Sequence, residues 1–211
     1  GTAAKPEAMK RDMGLKMIRR SNDEGHHYFI ANLTDHDIDC RVPLAVAEKN
    51  ALWYNPMTDR TYEASINSDG LEIRLRSGES RILLCSDTKH EAEKEKRLTD
   101  REIDLTGNKW QLSFTEEEPK VGETFTLNGL QTWESLNDAA SKTMGTGIYE
   151  TTFKLSKDDA AKEWVIDLGD VRESARVYIN GKYVGCAWAV PFVLDCKDAL
   201  RKGKNTLRIE V

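Results

Sequence analysis

Four carboxylates in the last third of the sequence have a spacing that acid–base chemistry could use. Asp167 and Asp170 lie on either side of a glycine, Glu173 follows, and Asp195 ends an apolar run. Acid–base catalysis by paired carboxyl groups needs two of them about 5–9.5 Å apart, on either side of the reacting bond. The chain has 36 Asp and Glu residues, so pairs are easily proposed. We therefore favour turn caps and solvated strand ends as the interpretation of all four.

Aromatic side chains are the second kind of residue here that could bind a ligand. Trp and Tyr rings stack on the apolar faces of sugar rings, while nearby amides and carboxylates bind the hydroxyl groups. Trp188 lies between Gly185 and Pro191, in a connection that need not be buried. Packing is the favoured interpretation of Trp188, and carbohydrate contact is the alternative. Tyr183 and Asn180 could supply hydroxyl or amide partners at the same end, although Asn180 is better explained as a turn former.

The histidines and cysteines do not predict a metal site. His26 and His27 would point to opposite faces of a strand, and His36 and His90 lie in polar segments. The sequence has no Cys-x-x-Cys pair and no Cys/His cluster at metal-ligand spacing. Its four cysteines lie in or beside apolar strands, so we favour four thiols over disulfides, and spacing does not choose among the three possible pairings.

The composition is typical of a folded, water-soluble protein. The net charge is −5, and acidic and basic residues are interspersed. This argues against a nucleic-acid-binding surface and against a basic membrane-binding face. No apolar run approaches the ~20 residues that span a bilayer. The first residues lack the apolar core of a signal peptide, but the sequence does not begin with Met, so this says nothing about where a longer parent protein is located.

The elements that would position these residues are clearest at the end of the chain. Ala175–Ile179 alternates at the period of two that a half-buried strand requires, and Lys182–Val184 resumes that pattern. Asn180-Gly181 between them is the strongest short hairpin signal, because a type I′ turn needs positive φ at both central positions. With the further run Leu207–Val211, the pattern predicts an antiparallel β-sandwich. Strand positions also predict three core tryptophans: Trp110, Trp133 and Trp164.

The first half of the chain predicts a smaller sandwich of its own. Short apolar runs at intervals near ten residues, separated by turn clusters such as Asn67–Gly70, are typical of that fold. Residues 1–14 precede the first strand pattern and are predicted to be a tail. Glu91–Arg97 contains one Ala and no larger apolar residue, so a charged linker is favoured over an interaction helix. The sequence therefore predicts a tail at residues 1–14 and a small β-sandwich at residues 15–87. A charged linker at residues 88–101 and a second sandwich at residues 102–211 follow.

The second half also resembles a known family. Its motifs Ala-x-Val-x-x-Asn-Gly-x-x-x-Gly, Pro-Phe-x-x-Asp and Gly-x-Asn-x-Leu-x-x-x-Val resemble the sugar-binding jelly roll of glycoside hydrolase family 2. They are similar also to the C-terminal jelly roll of the rhamnosidase-like family 106 enzymes, and residues 5–86 resemble the segment that follows the catalytic barrel in those enzymes. The likeness is carried by Ala175, Val177, Asn180, Gly181, Gly185, Pro191, Phe192, Asp195, Gly203, Asn205, Leu207 and Val211.

The resemblance implies an all-β fold. It consists of two antiparallel β-sandwich domains, the second a galactose-binding-domain-like jelly roll, joined by a short charged linker or helix. These families keep their catalytic carboxylates on a barrel of about 250 residues, so we assign no catalytic residue to this chain. Related jelly rolls often hold a structural calcium ion through loop oxygens. No residue pattern here fixes such an ion, and no cofactor is assigned.

The function implied is that of a non-catalytic C-terminal region of a glycoside hydrolase, which binds carbohydrate or supports the substrate site of a barrel elsewhere. An autonomous carbohydrate-binding module and a purely structural domain pair are the alternatives. The expected partners are a carbohydrate, of plant or host origin, and the upstream catalytic barrel, with no nucleic acid and no membrane. The parent protein is expected in the periplasm or outside the cell.

Overall fold

The structure is a computed structural model that describes residues 5–95 and 101–211. The chain divides into two compact units, Gly1–Thr99 and Asp100–Val211. The strands of both units pair antiparallel in every sheet, which confirms the predicted all-β fold class. The longest helices have five residues, so no helix among the described residues could reach across a bilayer.

The first unit is a sandwich of a five-stranded and a three-stranded sheet, with strand orders β1-β2-β8-β4-β5 and β3-β7-β6. Apolar side chains from both sheets form one buried cluster between them, which includes Tyr28, Trp53, Ile73 and Leu83. Its elements are α1 (Ala8–Asp12), β1 (Lys16–Asn22), β2 (Gly25–Ala31), β3 (Ile38–Val42), β4 (Asn50–Asn55), β5 (Arg60–Glu63), β6 (Ile66–Asn67), β7 (Gly70–Leu75) and β8 (Ser80–Ser86).

The predicted tail at residues 1–14 is wrong over its described part. Residues 8–12 form α1, and Met9 on this helix is fully buried in the core of the first unit. Glu7, just before the helix, is also buried. Its carboxylate accepts hydrogen bonds from Arg19 Nη1 (2.5 Å), Tyr28 Oη (2.9 Å) and Ala45 N (3.0 Å). The segment is therefore an integral part of the sandwich.

The predicted linker at 88–101 lies partly outside the described residues. Its described beginning, residues 88–95, contains no helix. The carbonyl oxygen of Glu93 accepts a hydrogen bond from Glu63 N at the end of β5 (2.9 Å), and Glu95 forms an ion pair with Arg81 on β8 (2.8 Å). These residues therefore follow the surface of the first unit.

The second unit contains a six-stranded sheet of order β10-β9-β11-β16-β13-β14 and a two-stranded sheet, β12-β15. Its strands are β9 (Trp110–Glu118), β10 (Phe125–Leu127), β11 (Met144–Leu155), β12 (Val165–Asp167), β13 (Ala175–Ile179), β14 (Lys182–Ala187), β15 (Val193–Asp195) and β16 (Gly203–Glu210). Two short α-helices, α2 (Asp138–Lys142) and α3 (Lys157–Ala160), and two 3₁₀ helices, Trp133–Ser135 and Lys197–Ala199, complete it.

The predicted tryptophans lie in the core to different degrees. Trp110 is almost fully buried on β9, and Trp164 is half-buried. Trp133 lies in a 3₁₀ helix and not in a strand, and it is half-buried against the sheet. A Cβ added to Gly147 on β11 would come within 2.4 Å of the Trp133 ring. Gly147 therefore leaves room for the Trp133 indole. The predicted core position of Trp133 is confirmed, whereas its predicted strand is wrong, because the residue lies in a 3₁₀ helix.

All four cysteines lie in the described part of the chain and are free thiols, as favoured from the sequence. Cys85 in the first unit and Cys196 in the second are buried, while Cys40 and Cys186 are half-buried. Burial raises the pKa of the Cys85 thiol to about 12, and burial likewise raises the pKa of Cys196 to about 12. Both buried thiols are therefore protonated near neutral pH.

The predicted hairpin is confirmed. Ile179 pairs with Lys182 across the two-residue connection, and Asn180 and Gly181 have φ values of 54° and 78°. Positive φ at both positions is what a type I′ turn requires. The register shifts by one residue between Val177 and Tyr178, which leaves an extra residue on β14 as a β-bulge.

Replacing Gly181 with Val should lower the free energy of unfolding of the second unit by about 1–3 kcal/mol. An added side chain would meet no atom within 4 Å of its Cβ, so the cost arises only from a branched residue held at positive φ. Chemical denaturation followed by tryptophan fluorescence would measure it. Lys182→Val, next to the turn on an exposed strand position, is the control, and an equal loss in both variants would contradict the assigned turn.

Candidate functional site

Two loops lie together at one end of the β13–β14 hairpin. Residues 168–174 join β12 to β13, and residues 188–192 join β14 to β15. Because β12 pairs with β15 and β13 pairs with β14, both loops leave their strands at the same end. A backbone hydrogen bond from Leu168 N to Phe192 O (2.9 Å) ties one loop to the other. We call these two segments the paired loops.

Trp188 is the exposed aromatic residue of the paired loops. Ala187, the last residue of β14, is buried in the core, and Trp188 after it is 62% exposed. Successive side chains of an extended chain point to opposite faces, which explains this change. Phe192 at the other end of the loop is buried and anchors it. The described residues therefore leave most of Trp188 uncovered, contrary to the favoured interpretation of it as a packing residue.

The paired loops also carry charged groups beside the indole-bearing segment. The Arg172 guanidinium donates two hydrogen bonds to the carboxylate of Asp170, from Nε to Oδ1 (3.2 Å) and from Nη2 to Oδ2 (2.7 Å). Hydrogen bonding to Arg172 lowers the pKa of Asp170, and the same contact raises the pKa of Arg172. Asp167 accepts a hydrogen bond from Gly169 N (3.0 Å) and so caps the turn that follows it. These partners fit the interpretation of the carboxylates as turn caps and surface groups.

Asn180 does not belong to this site, which corrects its assignment as a carbohydrate ligand. Its side-chain amide donates to Ala199 O (2.9 Å) and to Asn205 Oδ1 (2.8 Å), and its Oδ1 accepts from Thr206 N (3.1 Å). Both donors of the amide are used within the fold, so none remains for a sugar hydroxyl. Asn180 fixes the hairpin turn to the neighbouring strand β16.

Tyr183 is exposed but lies at the other end of the hairpin from Trp188. Its side chain is 52% exposed, and its ring lies 5.3 Å from that of Tyr178, centroid to centroid, with the planes tilted by 54°. Trp188 lies five positions after Tyr183 along the extended chain, a span of roughly 16 Å at about 3.3 Å per residue. The structure therefore does not bring the two predicted aromatic contacts together.

Arg172 is a candidate site residue that sequence reasoning did not single out. Its position two residues after Asp170, within a turn segment, is the signal that could have indicated the ion pair. Among the residues that the structure describes, no group of three or more His, Cys, Asp or Glu side chains could hold a metal ion. The paired loops thus offer an aromatic face, a fixed ion pair and the exposed carboxylate of Glu173, a combination suited to binding.

Part of the second unit is similar in sequence to a known family. Residues 133–211 match the sequence model of the family described as glycosyl hydrolase 2 galactose-binding domain-like. Residues 133–211 are thus similar to a galactose-binding module, and we refer to this segment of the second unit as the galactose-binding-like domain. This confirms the resemblance to the family 2 sugar-binding jelly roll. The galactose-binding-like domain includes strands β11–β16 and both paired loops.

Two curated relatives come from Formosa agariphila. The protein named "Putative beta-glucuronidase" is 30% identical over 105 residues, which are 48% of this chain and 9% of the relative. The protein named "Beta-glucuronidase" is 33% identical over 89 residues, which are 39% of this chain and again 9% of the relative. The matched region thus spans less than a tenth of the length of either protein.

A solved structure covers both units. The rhamnosidase from Novosphingobium sp. PP1Y matches 93% of this chain with a TM-score of 0.75 and 23% sequence identity. At that identity the match shows a shared fold, as the resemblance to rhamnosidase-like enzymes predicted. This chain covers 19% of the rhamnosidase chain.

Proposed function

We propose that the galactose-binding-like domain binds carbohydrate through the paired loops, as a non-catalytic part of a glycoside hydrolase. The observation that carries the proposal is the exposed indole of Trp188 at the start of one of the paired loops, while the other loop carries the Arg172–Asp170 ion pair. An exposed Trp ring stacks on the C–H face of a sugar, and the polar rim binds its hydroxyl groups. The family of residues 133–211 and the names of the relatives support a glycoside as the ligand.

The charged groups of the paired loops favour binding over catalysis. Asp170 is occupied by Arg172, and Asp167 is occupied as a turn cap. We therefore propose that the carboxylates of the reaction lie elsewhere in a longer protein, on a catalytic barrel that these two units accompany. We further propose that this protein acts in the periplasm or outside the cell, where such substrates occur.

Binding by the paired loops should be weak and should depend on Trp188. One stacking platform contributes about 1–2 kcal/mol beyond its polar contacts, so an affinity near millimolar is expected. Titration of the isotope-labelled chain with L-rhamnose, D-galactose and D-glucuronate, each as a methyl glycoside, should shift amide NMR signals of residues 168–174 and 188–192. The three sugars are chosen from the names of the family and the relatives.

Trp188→Ala should abolish these shifts and leave the rest of the spectrum unchanged, because the exposed ring has little role in the core. Tyr183→Ala is the matched control, since it removes another exposed aromatic ring from the other end of the same hairpin. Shifts that persist in Trp188→Ala would contradict the site. If no sugar shifts these signals, the purely structural role of the two units is favoured instead.

A further inference from the structure

The second unit has an open depression at the edge of the sheet opposite to the paired loops. Its volume is about 510 Å³, within the range of ligand pockets. It lies along β10, an edge strand that pairs with β9 alone among the described strands, and along the segment that follows it. Since β10 and β14 are the two edges of the six-stranded sheet, roughly 24 Å separates the depression from the β14 edge, at about 4.8 Å per strand.

The lining of the depression combines an apolar surface with uncharged polar groups. Phe125, Leu130 and Leu136 supply apolar surface, and Leu130 is 44% exposed. Asn128 and Gln131 supply primary amides, and neither side chain makes a hydrogen bond with any described residue. The described residues contribute no Asp, Glu, Lys, Arg or His to this lining.

The backbone of this segment is fixed before any ligand binds. Leu130 N donates to Thr106 O (2.6 Å), and Gln131 O accepts a hydrogen bond from the Tyr149 hydroxyl (3.1 Å). Leu127, at the end of β10, is buried in the core. The two amides therefore extend from an anchored segment, which lowers the entropic cost of binding.

We propose that this depression is a second carbohydrate site, specific for a neutral sugar. A primary amide both donates and accepts hydrogen bonds, as a sugar hydroxyl does, whereas a carboxylate only accepts them. The apolar side chains contact the C–H face of the ring. A charged sugar is disfavoured because its carboxylate would lose water without gaining a cationic partner. This inference does not depend on Trp188, because it concerns the other edge of the sheet.

The test uses the full chain and follows amide NMR signals of residues 125–136 while methyl galactoside, methyl rhamnoside or methyl glucuronide is added. A neutral glycoside should shift these signals with a Kd near millimolar, and the glucuronide should bind at least threefold more weakly. The double variant Asn128→Ala/Gln131→Ala should abolish the shifts. Glu134→Ala, an exposed neighbour outside the lining, is the control and should bind as the unchanged chain does.

Three results would overturn the proposal. They are the absence of shifts at residues 125–136 with both neutral glycosides, unchanged shifts in the double variant, and equal or tighter binding of the glucuronide. Signals of the paired loops are read in the same spectra. A failure at residues 125–136 with intact shifts at residues 188–192 would therefore remove this second site and leave the proposed function standing.

Discussion

Removing residues 1–14 is expected to unfold the first unit. The deletion takes Met9 out of the core and Glu7 out of its contacts with Arg19, Tyr28 and Ala45. Truncating a buried Met to Ala lowers the free energy of unfolding by about 2–5 kcal/mol. Removing one partner of a buried ion pair lowers it by about 3–5 kcal/mol. Even without strict additivity, the loss is comparable to the total stability of a domain, about 5–15 kcal/mol.

Hydrogen exchange read by mass spectrometry measures the two units separately within one chain. Peptides from residues 15–95 should lose their protection after the deletion, while peptides from residues 101–211 should keep theirs. Met9→Ala and Glu7→Ala should each reproduce part of the effect. Lys10→Ala is the control, because it lies on the same helix with its side chain exposed. Full protection of residues 15–95 in the truncated chain would show that the helix is dispensable.

Replacing Asn205 with Ala is expected to lower the free energy of unfolding of the second unit by about 3–5 kcal/mol. Asn205 is fully buried, and its amide donates to Arg201 O (2.8 Å) and Gly203 O (3.1 Å). Its Oδ1 accepts from Arg201 N (3.0 Å) and from the Asn180 amide (2.8 Å). Each buried polar group that is left without a partner costs about 1–3 kcal/mol.

Asn205→Asp separates hydrogen bonding from volume. The two side chains have nearly the same shape, but a carboxylate has no hydrogen to give to the carbonyl groups of Arg201 and Gly203. We therefore expect Asn205→Asp to destabilise the unit as much as Asn205→Ala does, in urea denaturation followed by tryptophan fluorescence. Thr206→Ala, exposed at the next position, should change little. A stable Asn205→Asp variant would mean that packing alone holds this turn.

The parts of the fold that could be predicted are those specified by neighbouring residues. The alternation of Ala175–Ile179 and the Asn180-Gly181 turn are local signals, and the structure confirms them with two positive φ values. The burial of Glu7 could not be predicted in this way. Its partners lie 12, 21 and 38 residues further along the chain, and its helix is too short to show an apolar stripe.

The candidate site was predicted in part. Trp188 was identified from its place in a connection, but whether a side chain is covered depends on what the tertiary structure packs against it. The separation of Trp188 from Tyr183, by contrast, depends only on local strand geometry. Five steps along an extended strand set a distance of about 16 Å, so the strand pattern alone indicates that the two rings lie far apart. No sequence pattern predicts the open depression beside β10, because Asn128 and Gln131 resemble ordinary loop residues. Only the position of the sheet edge shows that they line a depression.

The positions of the thiols give each unit a chemical reporter of its own opening. An alkylating reagent reacts with the thiolate, and Cys85 and Cys196 are both buried and protonated near neutral pH. Each reacts only during the moments when its unit opens, so its labelling rate measures the opening equilibrium of that unit in the intact chain. Once the half-buried Cys40 and Cys186 are replaced by Ser, two modification rates from a single sample follow the two halves of the protein independently.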